Sequence, residues 1–202
     1  MRARTAKDRA TALFRRHGGM LRTKRALEFG IHPRTLYAMR DSGEIAAVGR
    51  GCYRLADLPP LGNPDLVAVV SAAPRGVICL VSALAFHGIT TQVPHQVDLA
   101  LPRPVKRPRL RYPPMQASWF SDRAFNEGVE RHTVDGVPVR VYSPAKTVAD
   151  CLKYRNRIGL DVAIEALRLC RQHNKATVDE LMRFARICRV EGVMRPYLEA
   201  ML

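Results

Sequence analysis

Arg34 and Thr35 follow His32-Pro33 at the start of a helix-forming segment, and both are residue types that read DNA. An arginine fork matches guanine O6 and N7, and threonine meets a thymine methyl or a phosphate. Arg22, Lys24 and Arg25 open the preceding segment, where a backbone phosphate lies when two short helices grip a duplex. Tyr37 and Asp41 flank the same face as Arg34, with Tyr37 divided between packing and phosphate contact, and Arg40 is a further basic candidate on that helix. Arg50, between Gly49 and Gly51, sits at the tip of a tight ribbon, where a wing arginine enters the minor groove or meets phosphate. These eight residues are the candidate DNA contacts, and the competing reading of each charge is plain solvation.

A second polar group lies far downstream. Asp150, Lys153, Tyr154, Arg155 and Glu165 gather within residues 143–165, and their plain reading is a polar cluster at a domain interface. Residues 103–112, Arg-Pro-Val-Lys-Arg-Pro-Arg-Leu-Arg-Tyr, form another basic stretch, held extended by its prolines. It follows either a phosphate backbone or an RNA, or is a solvated loop. Catalytic signatures are absent from the sequence. No lysine has an acidic residue two positions before it, and no Asp-x-Asp or Asp-x-Glu pair offers carboxylates for two metals. There is no Gly-x-x-x-x-Gly-Lys phosphate loop, and the six histidines lack metal-ligand spacing. His87, five residues after Ser82 but with no strained elbow around that serine, reads as a cap or packing group at a helix end. No enzyme activity, metal or cofactor is expected. The rival enzyme reading is a DNA-targeted, metal-dependent nuclease with Asp98, Asp150 and Glu165 as its carboxylates. A third reading is a module that grips a partner protein through helices in residues 160–189.

The elements that position the first group are legible from punctuation and periodicity. A helix over about Ala6 to His17 repeats Ala10, Leu13 and Phe14 on one face and stops at Gly18-Gly19. A second helix, with Thr23 as its N-cap, buries Ala26 and Leu27 and ends at Gly30. Pro33 suits the first position of a third helix, which stops at Gly43. Leu36 and Met39, three apart, face its core and turn Arg34, Thr35 and Ala38 outward. A Gly-Arg-Gly ribbon then completes the order of a winged helix-turn-helix.

The segment 57–64, Asp-Leu-Pro-Pro-Leu-Gly-Asn-Pro, reads as a linker, dividing the chain into a DNA-binding domain over 1–58 and a second domain over 59–202. The second domain mixes helix and strand. Residues 64–73 and Leu80–His87 read as helices, the latter ended by Gly88, and residues 97–101 alternate like a strand. Residues 129–134 and 137–142 flank Asp135-Gly136 as a hairpin, because Asp-Gly supplies the positive-φ pair of a tight turn. Val137, Val139 and Val141 line one of its faces. Ser143-Pro144 starts a helix, and helices over roughly 144–156, 160–172 and 177–189 follow. Val178, Leu181, Met182, Ala185 and Cys188 stripe the last one as core. The expected fold class is therefore α/β (α+β): an N-terminal winged helix-turn-helix, then a mixed α/β domain ending in a helical segment.

Bulk properties agree with a polyanionic partner. The 202 residues carry a formal net charge of +15. Of the 33 Lys/Arg, 13 fall in residues 1–58, against only 5 of the 18 Asp/Glu, so positive charge is densest where the DNA contacts are expected. The five cysteines are odd in number, lack Cys-x-x-Cys spacing and sit among apolar neighbours, which predicts buried free thiols in a reducing cytoplasm rather than disulfides or zinc. No apolar run reaches membrane-spanning length and no signal-peptide pattern opens the chain.

The chain resembles the AbiEi antitoxins, the DNA-binding half of bacterial type IV toxin–antitoxin pairs linked to abortive infection and phage defence. The matching segments are 30–37 (Gly-Ile-His-Pro-Arg-Thr-Leu-Tyr), 43–53 (Gly-Glu-Ile-Ala-Ala-Val-Gly-Arg-Gly-Cys-Tyr), 81–88 (Val-Ser-Ala-Leu-Ala-Phe-His-Gly), 143–155 (Ser-Pro-Ala-Lys-Thr-Val-Ala-Asp-Cys-Leu-Lys-Tyr-Arg) and 159–167 (Gly-Leu-Asp-Val-Ala-Ile-Glu-Ala-Leu). The chain departs from the family pattern at Ala38-Met39, where the related helix often carries Arg-Leu. The resemblance implies a cytoplasmic transcriptional regulator that binds inverted repeats in double-stranded operator DNA and represses its own operon. It also implies antagonism of a nucleotidyltransferase-like toxin, in the usual scheme without a stable protein–protein complex. Lys146, with Asp150, Lys153, Tyr154, Arg155 and Glu165, is the group the resemblance associates with antitoxin function.

Overall fold

A computed structural model describes residues 5–49 and 51–201. The chain groups into two compact units: Met1–Pro74 with Thr133–Pro138, and Arg75–His132 with Val139–Leu202. The helix after the proline-rich 57–64 segment falls in the first.

The first unit runs α1 (Ala6–Arg16), β1 (Met20–Arg22), α2 (Thr23–Glu28), α3 (Pro33–Asp41), β2 (Ile45–Gly49), β3 (Cys52–Leu55) and α4 (Pro64–Ala72). A reciprocal Thr5–Asp8 capping box starts α1, and left-handed Gly18 and Gly19 end it. Ala10 and Phe14 on α1, Ala26 on α2, and Leu36 and Met39 on α3 converge with Ile31, Ile45 and Tyr53 into one core. The strands form an antiparallel sheet in the order β1-β3-β2.

Two expectations about α2 are corrected. Thr23 is its first residue and not its cap: the Thr23 amide donates to the Gly51 carbonyl at 2.8 Å, and extended Arg22 takes the capping position without a side-chain capping bond. Leu27 is 41% exposed, because a six-residue helix anchored through Ala26 turns Leu27 away from the core. The three-residue strand β1 was not expected; its length is too short to show alternation.

The second unit contains β4 (Val77–Ile78), α5 (Leu80–His87), β5 (Val97–Pro102), β6 (Met115–Phe120), α6 (Asp122–Asn126), β7 (Val129–Val134), β8 (Val137–Tyr142), α7 (Pro144–Lys153), α8 (Arg155–Ile158), α9 (Leu160–Gln172), α10 (Val178–Cys188) and α11 (Glu191–Glu199). Its five-stranded sheet has the order β6-β5-β4-β8-β7, with β4 antiparallel to β5 and parallel to β8, and β5 parallel to β6. The hairpin β7–β8 turns at Asp135-Gly136, both at positive φ as its sequence requires, and the turn end counts with the first unit. The Asp135 carboxylate accepts the amides of Gly62 and Asn63 at 3.0 and 2.9 Å, just before α4. Strand β5 is buried on both faces through Leu101, so its polar member, Asp98, is buried as well, contrary to simple alternation. The helix expected over 144–156 breaks at Tyr154 into α7 and α8.

Helix α7 is the hub of this unit. Every residue from Ala145 to Leu152 is buried, enclosed by α5, α9, α10 and α11. Small side chains at Ala145, Ala149 and Cys151 allow that approach. Two of the buried residues are ionisable, Lys146 and Asp150, one helical turn apart and paired at 2.5 Å. The Lys146 ammonium also lies 4.2 Å from the Tyr142 ring centroid and 5.0 Å from that of Phe120. Cys188 donates its thiol to Asp150 at 3.2 Å. Burial pushes the Asp150 carboxyl above its ordinary range, while Lys146 and then Cys188 pull it back.

Cutting one partner of such a pair strands the other in the core. Lys146→Met or Asp150→Leu alone is expected to cost about 3–5 kcal/mol, and the double variant to recover most of that. Urea unfolding followed by fluorescence of the single tryptophan, Trp119 in β6, measures it; equal losses for singles and double would refute the pairing energetics.

Burial also raises the Asp98 carboxyl to about 6, against opposing help from Arg157. A raised folded-state value means stability that is complete below about pH 4 and lost as pH rises through 6, up to about 3 kcal/mol. Asp98→Asn is expected to lack that loss, so its stability relative to the parent rises between pH 4 and pH 7.5. Parallel profiles for the two proteins would rule this out.

Candidate nucleic-acid interface

The geometry of α3 follows from both ends inward. Pro33 occupies the first turn, where its missing N–H costs nothing. His32 is the cap: its Nδ1 accepts the Arg34 amide at 3.1 Å. Leu36 and Met39 are fully buried, which fixes the rotation of the helix about its axis. Arg34, Tyr37, Ala38, Arg40 and Asp41 are thereby exposed, and Thr35 is half-buried at the edge. The turn between α2 and α3 is pinned by buried Ile31 and left-handed Gly30, the order of a helix-turn-helix.

The expected contact residues differ in how free they are. Among the described residues Arg34 and Lys24 are exposed with no side-chain partner, ready to meet a phosphate or base. Arg25 is paired with Glu28 at 2.9 Å and lies over Phe29 at 4.7 Å. Arg40 is paired with Asp41 at 2.7 Å, which raises its pKa, and stacks over Tyr37 at 5.1 Å. Exposed pairs of this kind contribute little in water, so a phosphate competes readily with either carboxylate. Arg22 is half-buried and donates to the Val70 carbonyl at 3.1 Å, which ties it to the end of α4. Beyond it, β2 and β3 form the wing, their register shifted between Ala47 and Gly49 and the turn closed by left-handed Gly51. Arg50, the expected wing-tip contact, lies outside the described residues.

The downstream group separates into three places. Lys146 and Asp150 form the buried pair, closed to solvent. Tyr154 packs its ring 5.8 Å from Phe120, while Lys153 and Arg155 line an open cavity with residues of α6 and α10. Glu165 stands elsewhere, accepting from Thr91 at 2.7 Å and Thr90 at 3.4 Å. The three carboxylates of the nuclease reading are likewise engaged separately: Asp150 by Lys146 and Cys188, Glu165 by the two threonines, and Asp98 beside Arg157. Among the described residues no three His, Cys, Asp or Glu side chains gather as a metal site. His87 closes α5 as expected, with Nε2 donating to the Tyr142 carbonyl at 2.7 Å. All five cysteines are buried and unpaired, as their apolar neighbours predict. No helix among the described residues is long and apolar enough to cross a membrane.

Sequence reasoning missed His32 as the cap of α3, since histidine is outside the usual capping set. It also missed Arg123, Arg183, Arg186 and Arg189 around the second-unit cavity. The three-residue spacing of the last three, along the second half of α10 and into its cap, was the available signal.

Similarity to known proteins bears on the helix-turn-helix and its wing. No curated protein matches the chain. A family model described as transcriptional regulator, AbiEi antitoxin, matches residues 8–56, which run from α1 through β3. Over that segment, well under half of the chain, the sequence is similar to transcriptional regulators described as AbiEi antitoxins.

Proposed function

We propose that this protein is a cytoplasmic antitoxin that binds inverted repeats in its own operator DNA, represses its operon and counteracts a nucleotidyltransferase-like toxin without forming a stable complex with it. The observation that carries the reading is the exposed first turn of α3, where Arg34 stands unpaired beside Thr35 on a helix locked by Leu36 and Met39, inside the family-matched segment. That turn enters the major groove in a helix-turn-helix complex. Arg34 then reads a guanine, Thr35 a methyl or phosphate, and Lys24 and Arg25 hold a backbone phosphate. Tyr37 and Arg40, stacked together, contact the opposite strand once Asp41 releases its arginine. Arg50 supplies the wing contact, and Arg22 shapes the base of the wing and adds positive field there. The antitoxin activity belongs to the second domain and the surface around α7.

A gel shift with the gene's own upstream DNA against a scrambled duplex, at two salt concentrations, tests the DNA reading. Binding is expected only to the upstream fragment and to weaken steeply with salt. Arg34→Ala should cost about 1–3 kcal/mol on the cognate site and relax base preference, while Lys24→Ala should weaken all sequences alike and reduce the salt slope by about one. Equal loss for Arg34→Ala on every sequence would remove base reading from that residue. Co-expression with the neighbouring toxin gene tests antagonism, and co-purification of the two proteins would overturn the non-contact scheme.

A further inference from the structure

A dense cluster of cations lies in the second unit. A cavity of about 830 Å³ in the second unit is walled by α6, by the junction of α7 and α8, and by the end of α10 with the turn into α11. Arg103 and Arg123 face it from one side, and Lys153 and Arg155 from the junction. Arg183, Arg186 and Arg189 face it from α10 and its left-handed cap. The lone carboxylate in the lining is Glu127, held by Arg183 at 2.8 Å. Arg186 reaches Glu191 at only 3.8 Å. Among the described residues Arg103, Arg123, Lys153 and Arg189 have no acid within ion-pair distance.

Gathering seven cations around one hollow costs self-repulsion, and no feature of the core requires it. Six of the side chains are exposed at the rim, so their packing contribution is small, while Arg155 is half-buried and donates to the Leu152 carbonyl at 2.9 Å; the apolar floor is made by Ala124, Ile187 and Val190. The volume falls in the range of small-molecule sites, roughly 300–1,000 Å³. The lining has no aromatic side chain on which a base would stack, so recognition there rests on charge and on arginine forks. We propose that this cavity binds a small ligand bearing three or more linked phosphates. Arg123, Lys153, Arg155 and Arg189 hold the phosphates, and Arg183 joins them when it leaves Glu127. The site is independent of the DNA-reading helix, so the two readings stand or fall separately.

Titration calorimetry of the full chain at fixed ionic strength, with inorganic triphosphate, ATP and orthophosphate as probes, tests it. One triphosphate is expected per chain, with ATP comparable and orthophosphate far weaker. Arg123→Ala with Lys153→Ala should weaken triphosphate binding roughly ten- to a hundredfold. Arg131→Ala with Arg168→Ala, which removes the same charge elsewhere on the unit, should leave it nearly unchanged, as should Arg34→Ala. Glu127→Gln, which frees Arg183, should tighten it. Circular dichroism confirms that each variant is folded. Absence of saturable triphosphate binding would overturn the proposal, as would equal weakening in the charge-matched control. Stronger competition by a short single-stranded oligonucleotide than by triphosphate would also overturn it, reassigning the cavity to a nucleic-acid strand.

Discussion

The second unit is organised around one buried ion pair, Lys146 with Asp150, on a helix that is enclosed along nearly its whole length. Such a pair is tolerable only when every remaining proton and lone pair is met. Each surrounding element supplies one answer. The rings of Tyr142, at the end of β8, and Phe120, at the end of β6, cover the ammonium. Cys188, the last residue of α10, donates to the carboxylate. Gly128, left-handed before β7, leaves room for the stem of Lys146: a Cβ there would sit 2.8 Å from that of Lys146 and 2.9 Å from the Phe184 ring. The start of the hairpin, the hairpin's end and the end of α10 are thus all fixed by what α7 carries inside.

That constraint reaches the surface. Because Cys188 is held to Asp150, the turn from α10 into α11 is held with it, and Arg186 and Arg189 on either side of Cys188 line the open cavity. Lys153 and Arg155 leave α7 where it breaks at Tyr154, and so face the same hollow. The motif that carries the family resemblance in this half of the chain, Ser-Pro-x-Lys-Thr-x-x-Asp followed by Lys-Tyr-Arg, therefore has two physical parts. The first half builds the core, with Ser143 capping and Lys146, Thr147 and Asp150 satisfied internally, and the second half emerges at the cavity.

How much of this was legible depends on whether the signal is local. The hairpin over 129–142 and the helix Leu80–His87 follow from Asp-Gly and from Gly88, single residues whose backbone preferences decide the outcome. The outward face of α3 was legible because Leu36 and Met39 have one period and one cap region to obey. Thr23 and Leu27 were misread because a six-residue helix carries too few turns for periodicity, and a long-range bond from the Thr23 amide to Gly51 decided where it begins. Helix α11 hid behind Pro196 in its interior and a start with no side-chain cap. The burial of Lys146 is the clearest failure: charged residues default to the surface, and no local pattern announces that an i,i+4 pair will be closed on all sides.

Charge density and charge availability are also different quantities here. Residues 1–58 are richest in Lys and Arg, yet the expected contact face spends much of that charge locally, on Glu28 for Arg25 and on Asp41 for Arg40, with Arg22 turned to a carbonyl. Among the described residues of that face, what remains free is narrow: Arg34 at the start of α3 and Lys24 on α2. Sequence preference needs this kind of surface, because a face crowded with unpaired cations would hold any duplex through its phosphates alone. The second-unit cavity is the inverse case, with many arginines and almost no internal neutralisation, arranged around a volume and not along a face. The high net charge of the chain is thus distributed in two different ways, sparsely free along one helix face and crowded around one hollow.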